Sequence, residues 1–119
     1  MTPLRFFAAL ALGVLAVAGA HAQQPSRVTL VTHSSPGGGT DLFLRELSQH
    51  LGPIMKTSFA VENIRGGSGA TAVANVAAGK ADGSIFYGTT PTYIQTTLLS
   101  KPPVGWDGLD PIEIGRAHV

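Results

Sequence analysis

The 119-residue chain contains no cysteine. Disulfides and thiolate metal sites are therefore excluded, although an oxidising compartment is not. Charge is also sparse: Asp, Glu, Lys and Arg together make up 13% of the residues, with no run of basic ones. After position 22 seven basic residues face seven acidic ones, so the net charge of that part is near zero. Such a balance does not point to nucleic acid or to an anionic membrane surface. Aromatics are few, at 7%. His33 has no cysteine or second histidine beside it and makes no metal site. Ser34, Ser35 and Ser68 have no base at a suggestive spacing, so a nucleophile is unsupported. What the chain does have is glycine, 15 residues of it, and abundant alanine. That composition suits thin helices lying close on a sheet.

The two ends read differently from the middle. Arg5 puts positive charge near the start, Phe6 to Gly19 is an uncharged apolar run, and Ala20-His21-Ala22 is a small-x-small cleavage site. Residues 1–22 therefore read as a secretory signal, with the mature chain starting at Gln23 and the protein exported. The apolar run is shorter than the ~20 residues needed to span a bilayer. Residues 113–119, Glu-Ile-Gly-Arg-Ala-His-Val, back-translate with ordinary codons to the start of a common sequencing adapter. The expectation is that this tail is adapter-derived and non-native, and that native sequence runs to about Ile112. Arg116 and His118 are left out of every site on that ground.

Between these ends the pattern is β-α-β-α-β-α. Arg27 to Thr32 is apolar and β-branched and stops at a Ser/Pro/Gly cluster, as a buried strand does. Asp41 to Leu51 reads as a helix, capped by Thr40 or Asp41 and ended by Gly52-Pro53. Its apolar face comprises Leu42, Phe43, Leu44, Leu47 and Leu51, and Arg45, Glu46, Gln49 and His50 form the polar side. Thr57 to Val61 is a second strand, Ala70 to Ala78 an alanine-rich helix, and Ser84 to Tyr87 a third strand. Thr92 to Leu99 is helical after Pro91, and Trp106 to Ile112 is a loop. This order predicts an α/β layer with parallel strands. Ligands in such layers sit beyond the carboxyl ends of the strands, where all three polar loops open.

Two of those loops carry glycines, lie about thirty residues apart and lead from strand to helix. The first is Ser34-Ser35-Pro36-Gly37-Gly38-Gly39-Thr40-Asp41, and the second is Glu62-Asn63-Ile64-Arg65-Gly66-Gly67-Ser68-Gly69, followed by Ala70. Glycine loops entering helices turn free N–H groups to one point, where the helix dipole also favours an anion. Two such loops side by side would hold a carboxylate or phosphate. The reading is a binding protein for a small organic acid, with no catalytic residues, no cofactor and no metal. The hydroxyls of Ser34, Ser35, Ser68, Thr89 and Thr90 serve as hydrogen-bond donors, ordinary turn chemistry being their alternative. Asp41 either caps its helix or receives a ligand's ammonium group, with capping preferred. Glu62-Asn63 pins its loop through hydrogen bonds to backbone. The first loop lacks the lysine of a phosphate-binding P-loop. Gly67-Ser68-Gly69-Ala70-Thr71-Ala72 fits G-x-G-x-x-A, but Glu62 to Gly66 separate it from the strand, and Asp82 falls early. A secreted α/β enzyme holding a nucleotide cofactor is the competing class, and a non-functional fragment the third.

The run Pro36-Gly37-Gly38-Gly39-Thr40-Asp41, then Val61-Glu62-Asn63, Gly66 and Gly69, then Asp82-Gly83 and Gly88-Thr89, resembles the tripartite tricarboxylate transporter solute-binding proteins, the Bug family. Their pattern is P-G-G-x-x-D, V-E-N-R-P-G-A-G-G, D-G-Y and G-T, and the match extends from Arg27 to Ile112. The resemblance implies a two-lobed periplasmic binding protein that closes on a carboxylate and delivers it to a membrane permease, or acts in sensing. Residues 23–112 would form part of the first lobe, with the second lobe absent from this chain. It also implies that Gly37, Gly38, Gly39 and Gly66 to Ala70 grip a ligand carboxylate through backbone N–H groups and ordered water, with Thr89 or Thr90 supplying a hydroxyl. This sequence departs from the pattern in three places. His33-Ser34-Ser35 replaces an apolar P-F-A, Ile64-Arg65 replaces Arg-Pro, and Ser84 replaces tyrosine. A more polar pocket mouth implies a different acid.

Overall fold

The computed structural model of the chain describes residues 24–112. The signal read at 1–22 and the tail at 113–119 lie outside the described residues. Three strands, β1 (Arg27–Thr32), β2 (Ser58–Asn63) and β3 (Ile85–Tyr87), form one parallel sheet in the order β2-β1-β3. Helix α1 (Gly39–Met55) joins β1 to β2, α2 (Ala70–Ala77) joins β2 to β3, and α3 (Thr92–Ser100) follows β3. Single 3₁₀ turns precede α2, at Gly67–Gly69, and follow α3, at Trp106–Gly108. The α/β layer with parallel strands is thus present.

Register ties sequence alternation to layers. Val28 pairs with Phe59 and Leu30 with both Val61 and Phe86; these five pack with Leu44 of α1 on one face. Val31 pairs with Tyr87 and Thr29 with Ile85. On that second face Val31, Ile85 and Tyr87 pack with Ala72 and Val76 of α2 and with Ile64 and Leu109. Successive strand residues point to opposite faces, so β1, buried on both, reads as a continuous apolar run. In the order β2-β1-β3, right-handed crossovers send α1 and α2 to opposite faces, and the two clusters lie accordingly. Alanines at the α2 contact let that helix sit close; Ala72 and Val73 have no exposed surface.

Helix α1 differs from expectation at both ends. It runs through Gly52 and Pro53 and stops at Lys56, which adopts a left-handed conformation with φ 51°. Proline removes one interior donor, but the Gly52 carbonyl closes the end by accepting N–H groups from Lys56 and Thr57, the latter at 3.2 Å. At the start Gly38 is the cap residue, and Thr40 and Asp41 lie inside the first turn. The inward face is Leu44, with Leu47, Ser48 and Leu51 partly covered; Leu42 and Phe43 are 58% and 63% exposed. At 3.6 residues per turn, positions 44, 47, 48 and 51 share one stripe, while 42 and 43 fall outside it.

Backbone bonds carry the sheet just past its strands. Ile64 donates to the Thr32 carbonyl and Gly88 to that of Val31, each at 2.8 Å. All three loops therefore start from one edge. Among the described residues no helix is long and apolar enough to cross a membrane.

Candidate functional site

At the carboxyl edge the first loop folds onto Asp41. The residue is 1% exposed. It accepts the Gly37 N–H at 2.8 Å, the Asn63 side-chain amide at 2.9 Å and the Arg45 guanidinium at 3.0 Å. Arg45 Nη2 also reaches Asn63 Oδ1 at 3.4 Å, and Asn63 Nδ2 donates to the Ser34 carbonyl at 3.0 Å. The hydrogen bond from Arg45, followed by those from Gly37 and Asn63, holds the Asp41 carboxyl well below the usual carboxylate range. Asp41 thus locks the first loop to α1 and, through Asn63, to the end of β2. With its oxygens so engaged, it does not offer a free carboxylate to a ligand. Asn63 pins its loop to backbone as expected, whereas Glu62 is exposed.

The three glycines of this loop do not present three free amides. Gly37 gives its N–H to Asp41, and Gly38 gives its N–H to the Ser35 carbonyl at 2.8 Å. A turn that binds its own amides needs no ligand to hold them, and of the three glycines expected to grip a carboxylate, Gly37 and Gly38 have their amides engaged in this way. Gly39 begins α1, where the first amides of a helix lack intrahelical partners. Gly38 is required by contact: a Cβ there would lie against Ser34 Oγ and 2.9 Å from the Ser35 carbonyl.

The second loop is similarly self-bound. Gly66, Gly67, Ser68 and Gly69 all have positive φ, at 128°, 53°, 51° and 105°. Gly69 donates to the Gly66 carbonyl at 3.1 Å and Ala70 to that of Gly67, so those two amides are engaged within the turn. Thr96 of α3 donates to the Ser68 carbonyl at 3.2 Å, tying the loop to that helix. Between the two glycine loops stand side chains rather than open space. His33 Nδ1 and the Tyr87 hydroxyl are 2.7 Å apart, and a Cβ at Gly69 would lie 2.7 Å from that hydroxyl. Tyr93 meets Tyr87 edge-on at 5.5 Å. Burial pushes the Tyr87 phenol up from its ordinary value.

The open space lies on the other side of the first loop. A recess of about 410 Å³ is lined by Ser34, Gly39, Thr40, Phe43, Thr89 and Thr90. It sits where the chain leaves β1 toward α1 and leaves β3 toward α3, the point at which a doubly wound sheet opens a crevice. Gly88 keeps this edge tight, since a Cβ there would meet the Leu44 side chain at 2.6 Å. Of the sequence-predicted residues, Ser34, Gly39, Thr89 and Thr90 come together here. Ser35, Gly37 and Gly38 belong to the loop behind it, Asp41 lies beneath, and Gly66, Gly67, Ser68, Gly69 and Ala70 lie beside His33 and Tyr87. A second recess, about 490 Å³, is lined by Gln24, Pro25, Ser26 and Asp82 at the opposite, amino edge.

Sequence reasoning passed over Thr40 and Phe43 as lining residues, and Arg45 and Tyr87 as supports. The four-residue spacing of Asp41 and Arg45 was the available signal for that pair. Nothing in the local sequence joins His33 to Tyr87, which are 54 positions apart. No protein-family model, curated protein or solved structure matches this chain.

Proposed function

We propose that residues 23–112 are part of the first lobe of a periplasmic solute-binding protein of the tripartite tricarboxylate transporter type. It would capture a small organic carboxylate without bond chemistry and pass it to membrane permease subunits or a sensing system. The observation that carries this reading is the recess at the carboxyl edge. It combines the hydroxyls of Ser34, Thr40, Thr89 and Thr90 with the amino end of a 17-residue helix. Helix dipole and unpaired first-turn amides favour negative charge there, and hydroxyls supply further donors. The apolar edge of Phe43 suits a short carbon skeleton beyond the carboxylate. The Asp41–Arg45–Asn63 cluster fixes the loop in advance, which lowers the ordering cost of binding.

Calorimetry of the full chain against mono-, di- and tricarboxylates tests the proposal. At least one carboxylate is expected to give a heat of binding, and Thr89→Val is expected to weaken it about tenfold, as loss of one hydrogen bond to a charged group implies. Absence of heat across the panel would overturn the proposal. A nucleotide carried through purification would favour the enzyme class instead.

A further inference from the structure

We propose that Asp82 is a site of spontaneous isomerisation, at which the Gly83 amide nitrogen closes on the Asp82 side-chain carboxyl and the main chain is rerouted through the β-carbon. The chain has two Asp-Gly pairs, Asp82-Gly83 and Asp107-Gly108. As dipeptides they are equal. The fold separates them by what each carboxyl and each glycine amide is engaged in.

Asp82-Gly83 stands in the exposed turn between α2 and β3. The Asp82 carboxyl is turned forward along the chain, and its Oδ1 accepts the Ser84 N–H at 3.0 Å. A side chain that reaches the amide two residues on brings its carboxyl carbon beside the amide in between. That amide belongs to Gly83, and among the described residues its N–H has no hydrogen-bond partner. Gly83 has φ 78°, and no atom lies within 4 Å of where a Cβ would stand. The attacking nitrogen is therefore unhindered, and the residue that carries it turns freely. Asp82 also borders the open recess at the amino edge, so water reaches its carboxyl.

Asp107-Gly108 has the reverse arrangement. It lies in a 3₁₀ turn, where the Gly108 N–H donates to the Gly105 carbonyl at 3.1 Å. The Asp107 carboxyl is turned back along the chain: a Cβ at Gly105 would lie 2.6 Å from its Oδ1. Gly108 itself lies against the Val104 side chain. In this pair the carboxyl is directed away from its glycine amide, and the amide is already bonded.

The step at Asp82 balances with water alone. The Gly83 nitrogen bonds to the side-chain carboxyl carbon, and the hydroxyl of the neutral acid leaves with the amide proton as water. The five-membered imide then takes up one water at either carbonyl. Opening at one restores aspartate. Opening at the other leaves isoaspartate, with one more carbon in the main chain. Hydrogen bonding from Ser84 holds the Asp82 carboxyl below its ordinary value, so the reactive neutral acid grows as the medium is made acidic. Isoaspartate removes the acceptor of the Ser84 N–H and lengthens the turn just ahead of β3. The Ser84 carbonyl accepts the Thr29 N–H at 2.8 Å, so the change is transmitted to the central strand.

The full chain is aged at pH 5 in buffer and, in parallel, in urea that unfolds it. Peptide mapping locates isoaspartate, with methylation by an isoaspartate methyltransferase as the label. In buffer, a several-fold excess at residue 82 over residue 107 is expected; in urea, the two positions are expected to react alike. The aged chain is expected to show faster exchange of the Thr29 amide. Asp82→Ser keeps an oxygen for the Ser84 amide, and it is expected to age without label at position 82 and without change at Thr29. No label at residue 82 of the folded chain, or equal label at the two residues there, would overturn the proposal.

Discussion

Asp41 shows how one buried side chain shapes an edge of the sheet. Its lowered carboxyl pKa ties its charge to the fold. The stability it contributes is fully present above the ordinary aspartate value of about 4 and is lost as pH falls through the lower, folded-state value. Asp41→Asn should therefore lower the thermal midpoint at neutral pH and flatten the acid limb of stability, with faster exchange of the Gly37 amide. Thermal melts across pH 2–7 read the first two effects. An unchanged acid limb in the variant would mean that the carboxylate is not held as described. The aromatic pair is open to a separate test, because the chain has only two tyrosines. Burial raises both Tyr87 and Tyr93. Tyrosinate absorbance should thus develop above the ordinary value of about 10. The stability these phenols contribute is present below that value and is lost as pH rises through the folded-state values. A titration centred at or below 10 would show that they are not buried.

At the scale of elements, boundaries were legible wherever a residue acts through its own backbone. The β-branched run of β1, the alanines of α2 and the Ser/Pro/Gly break after Thr32 each specify local structure, and each element forms where those residues are. The end of α1 was misread because Gly52-Pro53 is a stop signal that acts only if no later residue closes the helix. Lys56 does so in a left-handed conformation, which a non-glycine residue adopts at a cost of roughly 1 kcal/mol. Lys56→Gly should stabilise the chain by about 0.5–1 kcal/mol, read as a shift in denaturant midpoint at unchanged slope. The close approach of α1 to the end of β3 gives the opposite sign. Gly88→Ala sets a methyl group against Leu44, and overpacking of this kind costs about 1–3 kcal/mol. The candidate site was less legible than the elements. Glycines show where a turn is, but not whether its amides are consumed within it. That depended on Asp41 and Asn63 meeting across 22 positions, a contact that the sheet creates and that neither loop encodes alone.

Across the whole molecule, the sheet is covered on both faces, but α3 is turned the wrong way for a leucine-bearing helix. Tyr93, Thr96 and Thr97 face inward, while Ile94, Leu98 and Leu99 are 53%, 68% and 85% exposed. The threonines can be buried because their hydroxyls bond back to the helix: Thr96 Oγ1 to the Thr92 carbonyl at 3.0 Å and Thr97 Oγ1 to that of Ile94 at 2.8 Å. The single Thr96 O–H is shared between the Thr92 carbonyl and the Ser68 carbonyl of the second glycine loop, the latter at 3.2 Å, so its inward placement also serves the carboxyl edge. The outer aliphatic side chains of α3 then contribute little to stability here, since they gain almost no burial. Replacing Leu98 and Leu99 with Gln should change the unfolding free energy by less than about 0.5 kcal/mol per site. It should also reduce binding of an environment-sensitive apolar dye and any concentration-dependent association, because three aliphatic side chains would no longer form one exposed surface. Thr96→Val is the counterpart: nearly the same shape, but without the bond to Ser68. It should free the second glycine loop, seen as faster exchange of the Gly67 and Ser68 amides. If instead the leucine substitutions destabilise the chain strongly while Thr96→Val is silent, α3 packs in the reverse orientation, and the second loop is held by something other than this helix.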